Sequence, residues 1–459
     1  AIGAGWLAEP WLRRRQPIAG RIVGNAHAAG HLLRRHGSPH RGRPSAAAKP
    51  PGRGATTRTD VVIVGGGVSG LSAAWRLRDT GLEVQVLELA GRVGGTSSWE
   101  DDGAVPHPWG GHYLPAPNRE LGATQRLLAE LGVVTGWDAA GRPQFDPEML
   151  CHTPEERIFY LGHWFPGLVP WPALTSEERR EMERFRELEQ ELTAAKGNDG
   201  RFAFQLPFSQ CSRDPRLLEL DRISMAEWLR REGLRSPFLR WYVRYATLDD
   251  FGAELEEVSA WAALHYFAAR KLHTEQLAGS NYLVWPEGNG WLVRRLVERL
   301  PTAVIRHALV QHVAPRRKGG VVVLYLDTQR SETQQIEARA AIVATPAFVA
   351  SRILSAAVVQ QGAATLRRRA SAPWLVANLH LRRPAEPNLP WDSVIHGSRG
   401  LGYVDEGHQL TTPSDRRVWT YFRAFGESDV ASRRMALLSQ PWSDLASEVL
   451  LDLAPAHPE

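Results

Sequence analysis

The chain has 459 residues, 43% of them hydrophobic and 23% charged, roughly three domains' worth at about 150 residues each, or two large interleaved ones. That composition excludes collagen-like, wholly disordered and disulfide-scaffold classes. Cys151 and Cys211 form no CxxC, which excludes a cysteine zinc cluster and leaves the redox compartment open. The net charge of +5 misleads, because residues 1–58 hold ten Arg and one Lys against Glu9, leaving the rest of the chain net negative by five. The body therefore offers no basic face for nucleic acid, and no apolar run reaches the length of a membrane span.

Residues 1–58 read as a disordered basic tail, with 37–58 as a linker rich in Gly, Pro, Ala and Arg. Ala1–Ala8 is too short to read as a signal sequence, and Arg13–Arg15 follows apolar residues instead of preceding them, against an intact twin-arginine signal. Localisation is expected to be cytoplasmic. His27, His31, His36 and His40 read as tail residues and not as a metal site. A start at Ala1 and a stop at Glu459, just after apolar Val449–Leu453, read as a fragment at both ends.

Order is expected from Asp60. Val61–Val64 is a β-branched run of the kind found in buried parallel strands. A glycine cluster follows, then a helix with Leu71, Ala74 and Leu77 on one face, ended by Gly81. Glu83–Leu87 alternates as a second strand, completing a βαβ start. From 116 to 280 the pattern is mainly helical. Thr175 and Glu178 have capping-box spacing ahead of a helix with Phe185, Leu188 and Leu192 on one stripe, and Glu254–Arg270 is apolar on most sides. WPEGNG (285–290) predicts a turn and Trp291–Leu300 an amphipathic helix. Short strands follow at Val304–Ile305, Leu309–Val313 and Val321–Leu326, with Lys318-Gly319-Gly320 as a hairpin turn. Further strands are expected at Ala340–Ala344, Leu375–Leu381 and Val418–Phe422.

The chemistry lies in 61–95, VVIVGGGVSGLSAAWRLRDTGLEVQVLELAGRVGG. Gly65, Gly67 and Gly70 form GxGxxG between a strand and a helix: one glycine for the turn, one for backbone approach to a pyrophosphate, one for close helix packing. The helix N-terminus offers free N–H groups to phosphate. Glu88 ends the second strand 18 residues after Gly70, where a carboxylate accepts from ribose hydroxyls. An acid there suits a free 2′-hydroxyl, so FAD or NAD is preferred over NADP.

Glu88 leads into ELAGRVGG, that is ExxxRxGG. This resembles the flavin signature of the monoamine oxidase, polyamine oxidase and phytoene desaturase superfamily. The resemblance implies FAD as cofactor, with Arg92, Gly94 and Gly95 wrapping over its phosphates and ribityl chain. Thr96 stands where amine oxidases usually have a second Arg. His107–Leu114 (HPWGGHYL) resembles the segment beside the flavin ring, with Trp109 in place of the usual acid before Gly110 and Gly111. WPEGNGWLVRRL resembles the family's P-x-G-G-x-x-x-L helix start, and the strands from Val310 to AIVATP (341–346) its returning strands. The family's closing C-terminal glycine segment is expected beyond Glu459.

The implied fold is α/β, a Rossmann-like FAD-binding domain (59–115 and 281–350) interleaved with an α+β substrate domain (116–280 and 351–459). The implied cofactor contacts are Gly65, Gly66, Gly67, Ser69, Gly70, Glu88, Leu89, Arg92, Gly94, Gly95, Thr96, Trp109, Gly110, Gly111, Val310, Ala344 and Thr345. His112 is the candidate catalytic residue, and His265 reads as a core histidine. The implied activity is hydride transfer from an amine or C–C substrate to flavin, with a small-molecule substrate and no metal. A non-redox flavin protein, isomerase or scaffold, is the alternative. Many amine oxidases of this superfamily place a Lys on the strand matching Leu375–Leu381. Here no Lys follows Lys318, and Asn378 and His380 are the polar candidates.

Overall fold

The structure is a computed structural model that describes residues 18–23, 52–101, 105–118, 120–270, 280–301, 303–367, 371–381, 389–410, 416–426 and 429–458. Strand β1 (Gly52–Val64) ends in the β-branched run, where Val62 and Ile63 are fully buried. It starts earlier than the expected Asp60. Gly52–Arg58 continue a parallel ladder beside residues 332–337, because a long partner strand offers backbone donors and acceptors whatever the side chains are. The linker reading is thus corrected for 52–58. Residues 18–23 are extended, with Gly20 against the Trp442 ring and Arg21 3.9 Å from Glu100. His27, His31, His36 and His40 lie outside the described residues.

Helix α1 (Val68–Leu77) follows the glycines and β2 (Val84–Leu87) returns beside β1. The helix stops at Leu77, and Gly81, at φ +73°, makes the turn into β2 instead of ending the helix. Strands β3 (Tyr113–Pro115), β4 (Glu156–Tyr160) and β5 (His163–Pro166) come next. Helices α2 (Ser176–Ala194), α3 (Pro237–Phe251) and α4 (Ala260–Ala269) form the helical layer. The expected capping box is made: Thr175 accepts from Glu178 N–H at 3.2 Å while the Glu178 carboxylate takes the Thr175 N–H. On the buried stripe of α2, Phe185 meets Phe267 of α4 edge-on at 5.2 Å. Helix α4 begins at Ala260, later than Glu254, because Ser259 caps it.

Strand β6 (Tyr282–Val284) pairs with β3. After it come α5 (Gly290–Glu298), β7 (Ala303–Ile305), β8 (Ala308–Pro315), β9 (Val321–Asp327) and β10 (Glu332–Val343). Then follow β11 (Trp374–Leu381), β12 (Asp392–Ile395), β13 (Tyr403–Asp405), β14 (Arg417–Ala424) and α6 (Trp442–Leu453).

Two six-stranded sheets organise these elements. The first has the order β7-β2-β1-β10-β9-β8 and the second β11-β14-β13-β12-β4-β5. Each is assembled from two distant stretches of chain, so the α/β unit and the substrate unit interleave. The stretch 116–280 is less purely helical than expected, because β4 and β5 leave it to pair with β12 and each other. Their short alternating patterns are submerged among helical ones. Among the described residues no helix is long and apolar enough to cross a membrane, and no three His, Cys, Asp or Glu converge as metal ligands.

Candidate active site

The glycine turn is built by close approaches that any side chain would obstruct. Gly65 sits at φ +108°, and a Cβ there would fall 2.6 Å from the Ala344 carbonyl oxygen. A Cβ on Gly70 would fall 1.9 Å from the Gly65 oxygen. Gly67 differs: its nearest neighbours would be 3.8 Å away, so its small size leaves open space over the helix start. No side chain caps α1, which leaves its first N–H groups for an anion. Glu88 accepts from Gly66 N–H at 2.7 Å and Ala90 N–H at 2.8 Å, holding the turn against the end of β2. Thr345, beside Gly65, keeps a buried hydroxyl oxygen without a hydrogen-bond partner among the described residues. Open backbone, free N–H groups and an orphaned hydroxyl fit a dinucleotide.

The chain crosses back over this turn at Gly94, whose N–H donates to Gly66 O at 2.9 Å. Gly94 and Gly95 take φ +130° and +59°, conformations that favour glycine. Ser69, Gly95 and Thr96 face outward, and Leu89 is half-buried. The Arg92 guanidinium donates to Trp99 O and lies over two indoles, 4.6 Å from the Trp99 centroid and 5.2 Å from that of Trp109. Trp109 thus contacts Arg92 through a ring face. Val310 packs on the sheet with Val62, Val64 and Leu87.

The loop from Val105 to His112 bridges the two units. Trp109 N–H donates to Ser98 O at 2.8 Å, and Gly111 O accepts from Asn289 N–H at 2.7 Å, which ties the loop to the WPEGNG turn. A Cβ on Gly110 would meet Val376 of β11 at 3.3 Å. His112 Nε2 lies 3.1 Å from Glu406 Oε1, both groups buried. Glu406 is linked to Thr420, Thr420 is 2.8 Å from Asn378, and Asn378 donates to Pro108 O at 3.3 Å. The hydrogen bonds from Glu406 through Thr420 and Asn378 to Pro108 O, with the close approach of His112 to Glu406, hold the loop onto the substrate sheet. His265 bonds Gln205 O at 3.0 Å, the core histidine expected.

Behind His112 the interior is acidic and aromatic. Tyr113 meets Tyr282 edge-on at 4.9 Å and Trp391 at 5.7 Å. Burial first, then neighbouring Asp250, push Asp249 up to about 6, while Arg270 and His112 pull the other way. Burial, with Glu155 and Asp249 adding to it, pushes Glu156 up to about 7. Asp392 is held well above the usual carboxylate range by burial and by Glu156 and Asp249. A cavity of about 370 Å³ opens here, lined by Glu156, Tyr242, Tyr266, Phe267, Arg270 and Tyr282 among others.

The family model of flavin containing amine oxidoreductases matches residues 68–458. The chain belongs to that family. FAD is its cofactor. Mouse amine oxidase [flavin-containing] B is 34% identical over 149 residues, covering 27% of this chain and 27% of the mouse protein. The putative flavin-containing monoamine oxidase AofH of Mycobacterium tuberculosis is 29% identical over 301 residues, 62% of this chain and 57% of its own length. These matches therefore span about a quarter to somewhat over half of the curated relatives. A solved structure of a putrescine oxidase variant superposes at TM-score 0.65 with 20% identity, covering 87% of this chain and 82% of that one. At that identity the likeness concerns the fold.

Within this flavin-containing family fold, the structure gathers Gly65, Gly66, Gly67, Gly70, Glu88, Gly94, Gly95, Ala344 and Thr345 at one turn. It places Trp109, Gly110, Gly111 and His112 on the adjoining loop, with Arg92 reaching over Trp99 and Trp109 and with Val310 apart. The sequence reading did not reach Glu406, Thr420, Asp249, Glu156 or Asp392. Two signals were there: an acid pair, Asp249-Asp250, in the last turn of an aromatic-rich helix, and Glu155-Glu156 just before RIFY.

Proposed function

We propose that the chain catalyses FAD-dependent oxidation of an amine. FAD, when bound, accepts a hydride from the carbon that carries the nitrogen. Gly66, Gly67, Ser69 and the first N–H groups of α1 hold the pyrophosphate, and the Glu88 carboxylate accepts from ribose. Arg92, set between two indoles, faces the phosphate side with Gly94 and Gly95. The loop of Trp109, Gly110 and Gly111 borders the ring, with His112 fixed by Glu406 at its inner end. The substrate enters among the tyrosines, whose packing excludes water.

The observation that supports an amine over a neutral C–C substrate is the charge of the interior. Asp249 and Glu156 stand behind and beside the rings, and Arg270, which lines the cavity, is paired with Asp250 at 2.5 Å. An ammonium compensates buried carboxylates; a hydrocarbon does not. The test is anaerobic mixing of the FAD-loaded chain with primary amines while flavin absorbance is followed. Bleaching with amines and none with alkenes supports the reading. Retained FAD with no bleaching by any amine supports the non-redox alternative instead.

A further inference from the structure

We propose that His408 is a positioning residue of the site: with a proton on each ring nitrogen it clips the turn after β13 to the leads into β4 and β12, and so fixes Glu406 opposite His112. This rests on the placement of His112 beside the flavin in the amine-oxidation reading above and adds to it a control by pH.

His408 Nδ1 lies 3.0 Å from Leu389 O, and its Nε2 lies 2.8 Å from His152 O. Both partners are backbone carbonyls, which only accept. A neutral imidazole has one N–H and one bare lone pair, whichever tautomer it takes; the imidazolium donates from both nitrogens. The next residue, buried Gln409, holds the same turn without a titratable group. Its Oε1 accepts from His152 N–H at 2.9 Å, and its Nε2 donates to Leu150 O at 3.1 Å. The β4 lead is thus tied at every pH, and the bond that a neutral ring gives up falls on the Leu389 side.

The groups around the ring divide by sign. Asp405 lies in the same turn, its O accepting the His408 N–H at 3.1 Å, and Glu155 lies on the β4 lead. Burial raises both carboxyls, and His408 is among the groups that pull each back down. These two acids favour the second proton. Arg417 of β14, which pairs with Asp405, and His152, whose ring is 6.3 Å from that of His408, oppose it.

Glu406 stands two residues before His408 in this turn, 3.1 Å from His112 Nε2 and bound to Thr420. Asp405 N–H donates to Trp391 O at 2.9 Å, and the Trp391 ring meets Tyr113 edge-on at 5.7 Å. A turn held at both leads keeps Glu406 and Trp391 where the site needs them. Loss of the second proton sets a carbonyl oxygen against a lone pair and leaves that acceptor unmet, which is costly away from water. The clip is therefore whole below the range where histidine titrates, and it opens as pH rises through that range.

The test is hydrogen exchange of the FAD-loaded chain at about pH 5.5 and about pH 8.5, on either side of the histidine range, corrected for the intrinsic pH dependence of amide exchange. Peptides carrying residues 389–395 and 405–410 are expected to lose protection roughly tenfold at the higher pH, the effect of one buried acceptor left unmet. In His408→Gln, whose amide donates without titrating, their protection should not change with pH. Flat protection in the wild type overturns the proposal with no variant needed. So does a loss that persists in His408→Gln. With a primary amine under anaerobic conditions, the wild-type limiting rate of flavin bleaching, divided by that of His408→Gln, should fall as pH rises, while the ratio of their KM values holds. A constant rate ratio overturns the positioning role. Bleaching by amines with flat exchange sinks the clip and leaves amine oxidation standing. Exchange that responds to pH through His408, with no bleaching by any amine, supports the clip and removes the oxidation reading.

Discussion

Between Val61 and Ser98 the dinucleotide turn is made mostly from one short stretch of chain folded back on itself, with Ala344 and Thr345 coming from far along the chain. The tyrosine cavity draws on β3, β4, β5, α2, α3, α4 and β6, from Pro115 to Tyr282. The turn is defined by what is absent: Gly65 and Gly70 are there because a Cβ would strike backbone at 2.6 and 1.9 Å. The cavity is defined by what is present and unpaired, above all the Glu156 carboxylate. Backbone geometry therefore governs the first region and charge in a dry interior the second. The two respond to different perturbations.

The sharpest break is within the glycines. Gly70→Val should abolish FAD binding and lower stability severely, because its Cβ meets the Gly65 oxygen. Gly67→Ala meets nothing within 3.8 Å, so its melting temperature should stay within a degree or two while FAD affinity falls at least tenfold. A Gly67→Ala protein that binds FAD like wild type would show that this surface does not approach the cofactor.

Glu88→Ala comes next. It removes the acceptor of two backbone N–H groups as well as the proposed ribose contact. FAD titration should show a loss of about 1.5–3 kcal/mol, the range for hydrogen bonds to a charged group. A loss confined to stability, with FAD affinity unchanged, would assign Glu88 to the turn alone.

The cavity is probed by pH. Glu156 at about 7 and Asp249 at about 6 hold protons in the folded state that the unfolded chain releases near 4. Their raised values lower stability as pH climbs from about 4.5 through about 7. Half-buried His265 and His396, held below the ordinary histidine value mainly by desolvation, act in the opposite sense below neutrality. The comparison of Glu156→Gln with wild type isolates the carboxyl. Its melting temperature should exceed wild type by a few degrees at pH 8 and match it at pH 5. Equal differences at both values would mean that Glu156 is not held up by its surroundings.

The smallest effect belongs to the chain before Thr59. Deleting through residue 51 should change the melting temperature little. Deleting through Arg58 removes ladder pairs to residues 332–337 and should cost several degrees more. Identical melting curves would show that the extension of β1 adds nothing.

The turn was legible because each residue type answers a local steric demand at fixed spacing: a strand, three glycines, a small Ala74, an acid at the strand end. The capping box of α2 was legible for the same reason. The ring from His112 through Glu406, Thr420 and Asn378 was not, since its members come from four strands or loops whose pairing no local pattern specifies. His112 and Asn378 were singled out separately, with nothing in the sequence to join them. Strands β4 and β5 were lost among helical periodicities, and residues 52–58 carry linker-like composition because their pairing is by backbone.

The position of β1 between β2 and β10 also has a consequence for biosynthesis. Val61 pairs with Val84 on one side and Ala340 on the other. At roughly 5–20 residues per second, the ribosome needs on the order of 15–60 s to pass from the first pairing to the second. Throughout that interval one edge of a β-branched strand stands open, the kind of edge that invites mispairing. The Ala344–Thr345 wall beside Gly65 is delivered only at the end of it. Cofactor capture is therefore a late step, and a nascent chain held by chaperones until residue 345 has emerged would reach FAD with its turn complete.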